Sequence, residues 1–189
     1  MPIEIKPLTP DMAETFTSYV EQMDFSHAPH WQFCNCQYYH VNCSTEQWRA
    51  RSASQNQLLA QENIRNGLMQ GLLAFDGDKP VGWVNANDLQ NYDLLKDDQD
   101  FQNYEGKTGL IVCLLIHPEY RRQKLASKLI ESAVNNFREK GFDRVIGKPF
   151  TWSAHPERQY HGVPVMYEDL GFVKVAEKNG EFTYVLELK

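Results

Sequence analysis

This sequence has little that would staple, anchor or extend it. Four cysteines in 189 residues (Cys34, Cys36, Cys43 and Cys113) do not suggest a disulfide framework. The longest apolar run, 110–116, is far too short to span a bilayer, so no membrane partner is expected. The opening Met1-Pro-Ile-Glu-Ile-Lys lacks the charged and apolar regions of a signal peptide, and a cytoplasmic location is the expectation. There is no internal repeat and no low-complexity stretch. Positive charge is in deficit as well. A net charge of −6 argues against nucleic acid as a partner, because such affinity comes largely from phosphate neutralisation.

What is present suits one ordinary domain spanning 1–189, with 42% apolar residues to form a core. Ile3 and Ile5 alternate with Glu4 and Lys6, a short strand ending at Pro7. Thr9-Pro10-Asp11 starts a helix predicted to run to about Met23. The stretch 24–44 is irregular and rich in aromatics, His and Cys. Ser44 or Thr45 can cap a mostly polar helix over 46–66, stopped by Gly67. A hairpin turns at Asp76-Gly77, between strands at 69–75 and 81–87. An acidic loop with some helix follows (88–106), and then a strand at 108–116, apolar on both faces and therefore buried. Leu125, Leu129, Ile130, Ala133, Val134 and Phe137 recur at helical spacing, which predicts a helix over 121–140 ended by Gly141. A strand at 142–147, a His- and Pro-rich loop at 148–162, a short helix at 163–170 and a hairpin around Asn179-Gly180 complete a mixed α/β domain.

The segment joining the central strand to its helix is the most informative. Arg121, Arg122 and Lys124 stand where the helix begins, yet the macrodipole there is positive and disfavours cations. Three bases at that point imply an anion to be held, with exposed backbone N–H groups completing a phosphate site. The alternative is a solvated basic turn. Because the cluster sits on an acidic background, a small anionic ligand fits better than a polyanion.

Two separated motifs carry a family resemblance. The first is His117-Pro118-Glu119-Tyr120-Arg121-Arg122-Gln123-Lys124-Leu125-Ala126 between strand and amphipathic helix. The second is Met166-Tyr167-Glu168-Asp169-Leu170-Gly171-Phe172. In this order, with these elements between them, they resemble the GNAT superfamily of acetyl-CoA-dependent N-acetyltransferases. The resemblance implies a GNAT-like α/β fold, a mostly antiparallel mixed sheet with splayed central strands flanked by helices. One departure stands out. Lys124 occupies the place of the first glycine of the family's Arg/Gln-x-x-Gly-x-Gly/Ala pattern.

The resemblance further implies acetyl-CoA as co-substrate and a small-molecule or peptidyl amine as acceptor. Leu115 and Ile116 would pair with the pantetheine arm as an added strand. A backbone N–H near Leu114 would polarise the acetyl carbonyl. Arg121, Arg122, Gln123, Lys124, Leu125 and Ala126 would hold the pyrophosphate. Tyr167 matches the tyrosine that serves as general acid toward the departing thiolate. A non-catalytic acyl-CoA-binding module of the same fold is the alternative function. For the general base, His155, His161 and Glu105 stay open, while His117 is assigned to the turn. Cys34, Cys36, His40 and Cys43 raise the question of zinc, but their spacing is tighter than a finger and no metal is expected. They are instead expected, with Trp31, Phe33, Tyr38 and Tyr39, to wall the acceptor pocket. The acidic stretch 88–105 could attract a cationic amine that Asn85 and Asn87 would orient, or simply be solvated. Oligomeric state is open, a homodimer included.

Overall fold

A computed structural model describes the whole chain except residues 1, 99, 102, 103 and 152–157. Seven strands form one sheet in the order β1-β2-β3-β4-β5-β7-β6. They are β1 (Glu4–Pro7), β2 (Gly71–Asp76), β3 (Lys79–Asp88), β4 (Thr108–Ile116), β5 (Arg144–Gly147), β6 (Val173–Lys178) and β7 (Glu181–Glu187). Every pairing is antiparallel except β4 with β5, which is parallel. A parallel pair needs a crossover, and α4 (Leu125–Glu139) supplies it. The other helices are α1 (Ala13–Glu21), α2 (Thr45–Arg49), α3 (Ala53–Arg65) and α5 (Pro164–Glu168). None of the described helices is long and apolar enough to cross a membrane.

The alternation of side chains across the pleat gives the sheet two apolar faces. Leu72, Ala74, Val84 and Ile111 pack with Leu129, Ile130, Ala133 and Phe137 of α4. Leu73, Phe75 and Trp83 face the other way, against Phe16 of α1 and Ile64 of α3. Central strands covered on both faces must be apolar throughout, as β4 is.

Two helix boundaries differ from the sequence reading. The helix expected over 46–66 is two helices, because Ser52 interrupts it. Ser44 accepts from the Gln47 N–H while Gln47 returns a bond to the Ser44 N–H, and Ser52 and Gln55 repeat the arrangement eight residues on. Each such cap is worth about 1 kcal/mol, which outweighs a weak apolar stripe in a polar stretch. The helix expected from 121 starts instead at Leu125, since Arg122 (φ 59°) and Lys124 (φ 60°) are left-handed and cannot be helical.

β4 and β5 pair only at Thr108–Ile111 with Arg144–Gly147. Beyond Ile111 the two strands part, and the segment 158–162 enters the opening: the Leu114 N–H donates to the Tyr160 carbonyl at 2.6 Å.

Candidate active site

A pocket of about 900 Å³ runs along the parted end of β4. At one end lies the turn before α4, where Pro118–Tyr120 form a single 3-10 turn. Two left-handed residues, Arg122 and Lys124, then set successive backbone N–H groups into a concave arrangement suited to an anion. The N-cap residue Lys124 makes no side-chain capping bond, which leaves first-turn amides of α4 available to a ligand. Arg121 Nε donates to the Ile116 carbonyl at 3.1 Å, tying the turn to the strand.

Lys124 therefore holds the backbone shape that a glycine would favour there. A left-handed non-glycine residue is strained by roughly 1 kcal/mol. Lys124→Gly should accordingly raise stability by roughly 0.5–1 kcal/mol, read as a higher urea midpoint with an unchanged slope. A lowered midpoint would show that the lysine side chain contributes more than its backbone costs.

Of the residues assigned from sequence, Leu114, Leu115, Ile116, Arg121, Arg122, Lys124, Leu125 and Ala126 line this pocket together. Two do not. The Gln123 carboxamide turns back to the Glu119 carbonyl at 2.8 Å. Tyr167 is fully buried in the core beneath the pocket, its ring against Phe172 and Tyr184. Its hydroxyl donates to the His161 carbonyl at 2.8 Å, and burial pushes its pKa well above the usual phenol range. Two successive carbonyls, those of Tyr160 and His161, thus sit on the Leu114 N–H and the Tyr167 O–H.

The opposite end of the pocket is aromatic, as expected for Trp31, Phe33, Tyr38 and Tyr39, with Trp48, Arg49 and Tyr160 added by the fold. Tyr39 O–H bonds Nε2 of His161 at 2.9 Å, and His161 Nδ1 bonds the Lys148 carbonyl at 2.8 Å. A carbonyl can only accept, so Nδ1 carries the proton and Nε2 accepts from Tyr39. Burial lowers the His161 pKa to about 4, leaving a neutral imidazole near pH 7. Of the other candidate bases, Glu105 is exposed and does not line the pocket, and His155 lies outside the described residues. His117 packs on Tyr120 in the turn.

The cysteine-rich segment separates on folding. Cys36 Sγ meets Cys113 Sγ of β4 at 3.5 Å, while His40 is held by the Asn91 carbonyl and Asn85. Among the described residues no three His, Cys, Asp or Glu side chains gather as metal ligands. Asn85 and Asn87, read from sequence as acceptor contacts, are buried away from the pocket. Asn85 accepts from the Tyr92 hydroxyl at 2.8 Å, and Asn87 donates to the Leu68 carbonyl at 2.7 Å. Both side chains are satisfied by protein partners, as buried polar groups must be. Trp83 is in the core, as expected.

Solved structures share this architecture at low identity. An acetyltransferase of the GNAT family from Desulfovibrio desulfuricans, itself described as putative, matches with a TM-score of 0.58 at 17% identity over 100% of both chains. PaiA N-acetyltransferase from Thermoplasma acidophilum, in complex with coenzyme A, gives 0.55 at 17% over 99% of both. YncA from Salmonella typhimurium, a putative acetyltransferase with its cofactor acetyl-CoA, gives 0.55 at 14% over 99% of this chain and 94% of the other. No curated protein matches. The strand, left-handed basic turn and helix all fall within residues 35–172, which match the family model described as acetyltransferase (GNAT) family, and the chain belongs to that family.

Proposed function

We propose that this protein transfers an acetyl group from acetyl-CoA to the amine of a small molecule or peptide by direct attack. The observation that carries the reading is one continuous pocket. It joins the basic turn at Arg121–Ala126 to the parted strand at Leu114–Ile116 and then to an aromatic chamber. Diphosphate, extended pantetheine arm and acceptor have those needs in that order. PaiA and YncA, which share the fold, are described with coenzyme A and acetyl-CoA bound.

Arg121, Arg122 and Lys124 would neutralise the diphosphate, with the amides of Leu125 and Ala126 donating to it. The strand backbone at Leu115 and Ile116 would flank the arm. Leu114 N–H would hold the acetyl oxygen as negative charge builds on it. Tyr167 would give its proton to the departing sulfur and recover one from the nitrogen, which sheds a proton as the amide forms; burial keeps its phenol protonated at rest. Both donors must first exchange the carbonyls of Tyr160 and His161 for substrate atoms. Displacement of 158–162 is therefore part of the reading.

Calorimetry with acetyl-CoA, followed by free-thiol release with a broad amine panel, tests it. Saturable binding with amine-dependent release is expected, along with at least a tenfold fall in kcat for Tyr167→Phe. Neither binding nor release from folded protein would defeat the proposal. The capped donors favour one second reading, an acyl-CoA-binding module without turnover. Tight binding, no release with any amine, and indifference to Tyr167→Phe would identify it.

A further inference from the structure

The acceptor end of the pocket is built of rings held rigidly. Phe33 and Tyr38 pack against Trp48 with centroids 5.5 and 5.2 Å apart. Buried amides fix the segment that carries them. The Asn56 carboxamide donates to the Phe33 carbonyl at 2.9 Å, and Asn63 donates to Gln37 at 2.8 Å. Such a wall is formed before any ligand enters, so little ordering cost is left to binding.

The charge lining this end is positive. Arg49 lines the chamber beside Trp48, and no carboxylate is among the described lining residues. Two carboxylates of the acidic stretch are paired with lysines. Asp93 pairs with Lys96 at 2.7 Å, and Asp100 lies 4.0 Å from Lys148. The stretch is anchored by Tyr92 and Phe101, which pack with Leu110 and Val112 of β4.

We infer that the acceptor is a primary monoamine on an aryl or branched-alkyl body, and that di- and polyamines are poor acceptors. This rests on the acetyl-transfer reading. An apolar body gains by leaving water for the ring-lined chamber. The same surroundings disfavour an ammonium over an amine, which delivers the nitrogen in the neutral form that attacks. A second ammonium on the substrate would be desolvated near Arg49 with no carboxylate among the described lining residues.

The full chain is first titrated with coenzyme A by calorimetry. Thiol release is then measured with 2-phenylethylamine, tryptamine and isoamylamine, with putrescine, agmatine and spermidine, and with a short peptide bearing an apolar N-terminal residue. The expected result is a kcat/KM at least tenfold higher for the three monoamines than for the polyamines and the peptide. Tyr38→Ala, a change at a residue 42% exposed, should raise KM for 2-phenylethylamine fivefold or more with coenzyme A affinity unchanged. Polyamines or the peptide matching the monoamines would overturn the assignment while leaving acetyl transfer standing, as would a KM indifferent to Tyr38→Ala. Coenzyme A binding with no release from any amine would overturn it too. Absence of both binding and release would remove the acetyl-transfer reading and this inference together.

Discussion

Lowering the pH from 7 to 4 should unfold this protein or bring it close to unfolding, with the loss concentrated between about pH 6.5 and pH 4. The cause is a pair of buried neutral histidines. Burial lowers both His40 and His161 from 6.5 to about 4. Each ring is locked in one tautomer, with Nδ1 donating to the Asn91 or the Lys148 carbonyl, and with Nε2 meeting the Asn85 amide or the Tyr39 hydroxyl. In this pH window the unfolded chain binds protons at both sites and the folded chain does not. Stability therefore rises with pH through the window and is lost as pH falls through it. At about 1.4 kcal/mol per pKa unit, each histidine accounts for on the order of 3 kcal/mol. Two together are a large share of the roughly 5–15 kcal/mol that holds a typical domain folded. Urea midpoints followed by circular dichroism at pH 7, 6, 5 and 4 would measure it. The slope should flatten in His40→Gln and in His161→Gln. A midpoint constant across the window would contradict the burial of both rings.

Gly147→Ala should cost about 3 kcal/mol or more and should damage the site from below. A Cβ at Gly147 would lie 2.1 Å from Cε1 and 2.4 Å from Cδ1 of Tyr167. The tyrosine cannot retreat. Its ring is fully buried between Phe172 and Tyr184, and its hydroxyl is tied to the His161 carbonyl. Overpacking of this kind forces side chains off their rotamers or shifts backbone. Because β5 is hydrogen-bonded on both sides, by β4 and β7, its backbone has little freedom to absorb the strain. Denaturation curves would show the loss, and the double variant Gly147→Ala/Tyr167→Leu should recover part of it by vacating the space. A single variant as stable as the parent would mean that ring and strand are not in contact.

Elements with strong local period were legible in the sequence. The amphipathic stripe of α4, the two-sided apolar run of β4 and the turn pair Asn179-Gly180 each encode their structure within a few residues, while the first hairpin turns one residue later than the sequence reading, at Gly77-Asp78, because Asp76 still pairs with Lys79. The break between α2 and α3 was written in the repeated Ser-x-x-Gln spacing at Ser44 and Ser52, but a reading based on the apolar stripe passes over it. The left-handed pair Arg122 and Lys124 was hidden because neither is a glycine, and only the pull of the surrounding fold selects that conformation. At the candidate site, the strand and basic turn were legible because they are contiguous. The Tyr160 carbonyl on Leu114 joins residues far apart in the chain, and no local pattern announces such a bond. Asn85 and Asn87 misled for a related reason. A polar side chain at a strand end suggests a ligand contact until the buried partners that satisfy it are in view.

Under the proposed acetyl-transfer reading, the chain's own carbonyls on Leu114 and Tyr167 would make the 158–162 segment an internal rival to the thioester. An intramolecular competitor acts at a fixed effective concentration, so observed affinity equals the intrinsic value scaled by the fraction of molecules in which the segment stands aside. Weak binding measured on this protein would then report the strength of that rival as much as the quality of the pocket. A sequence change that weakens only the seating of 158–162 would then tighten binding with the basic turn and the strand unaltered.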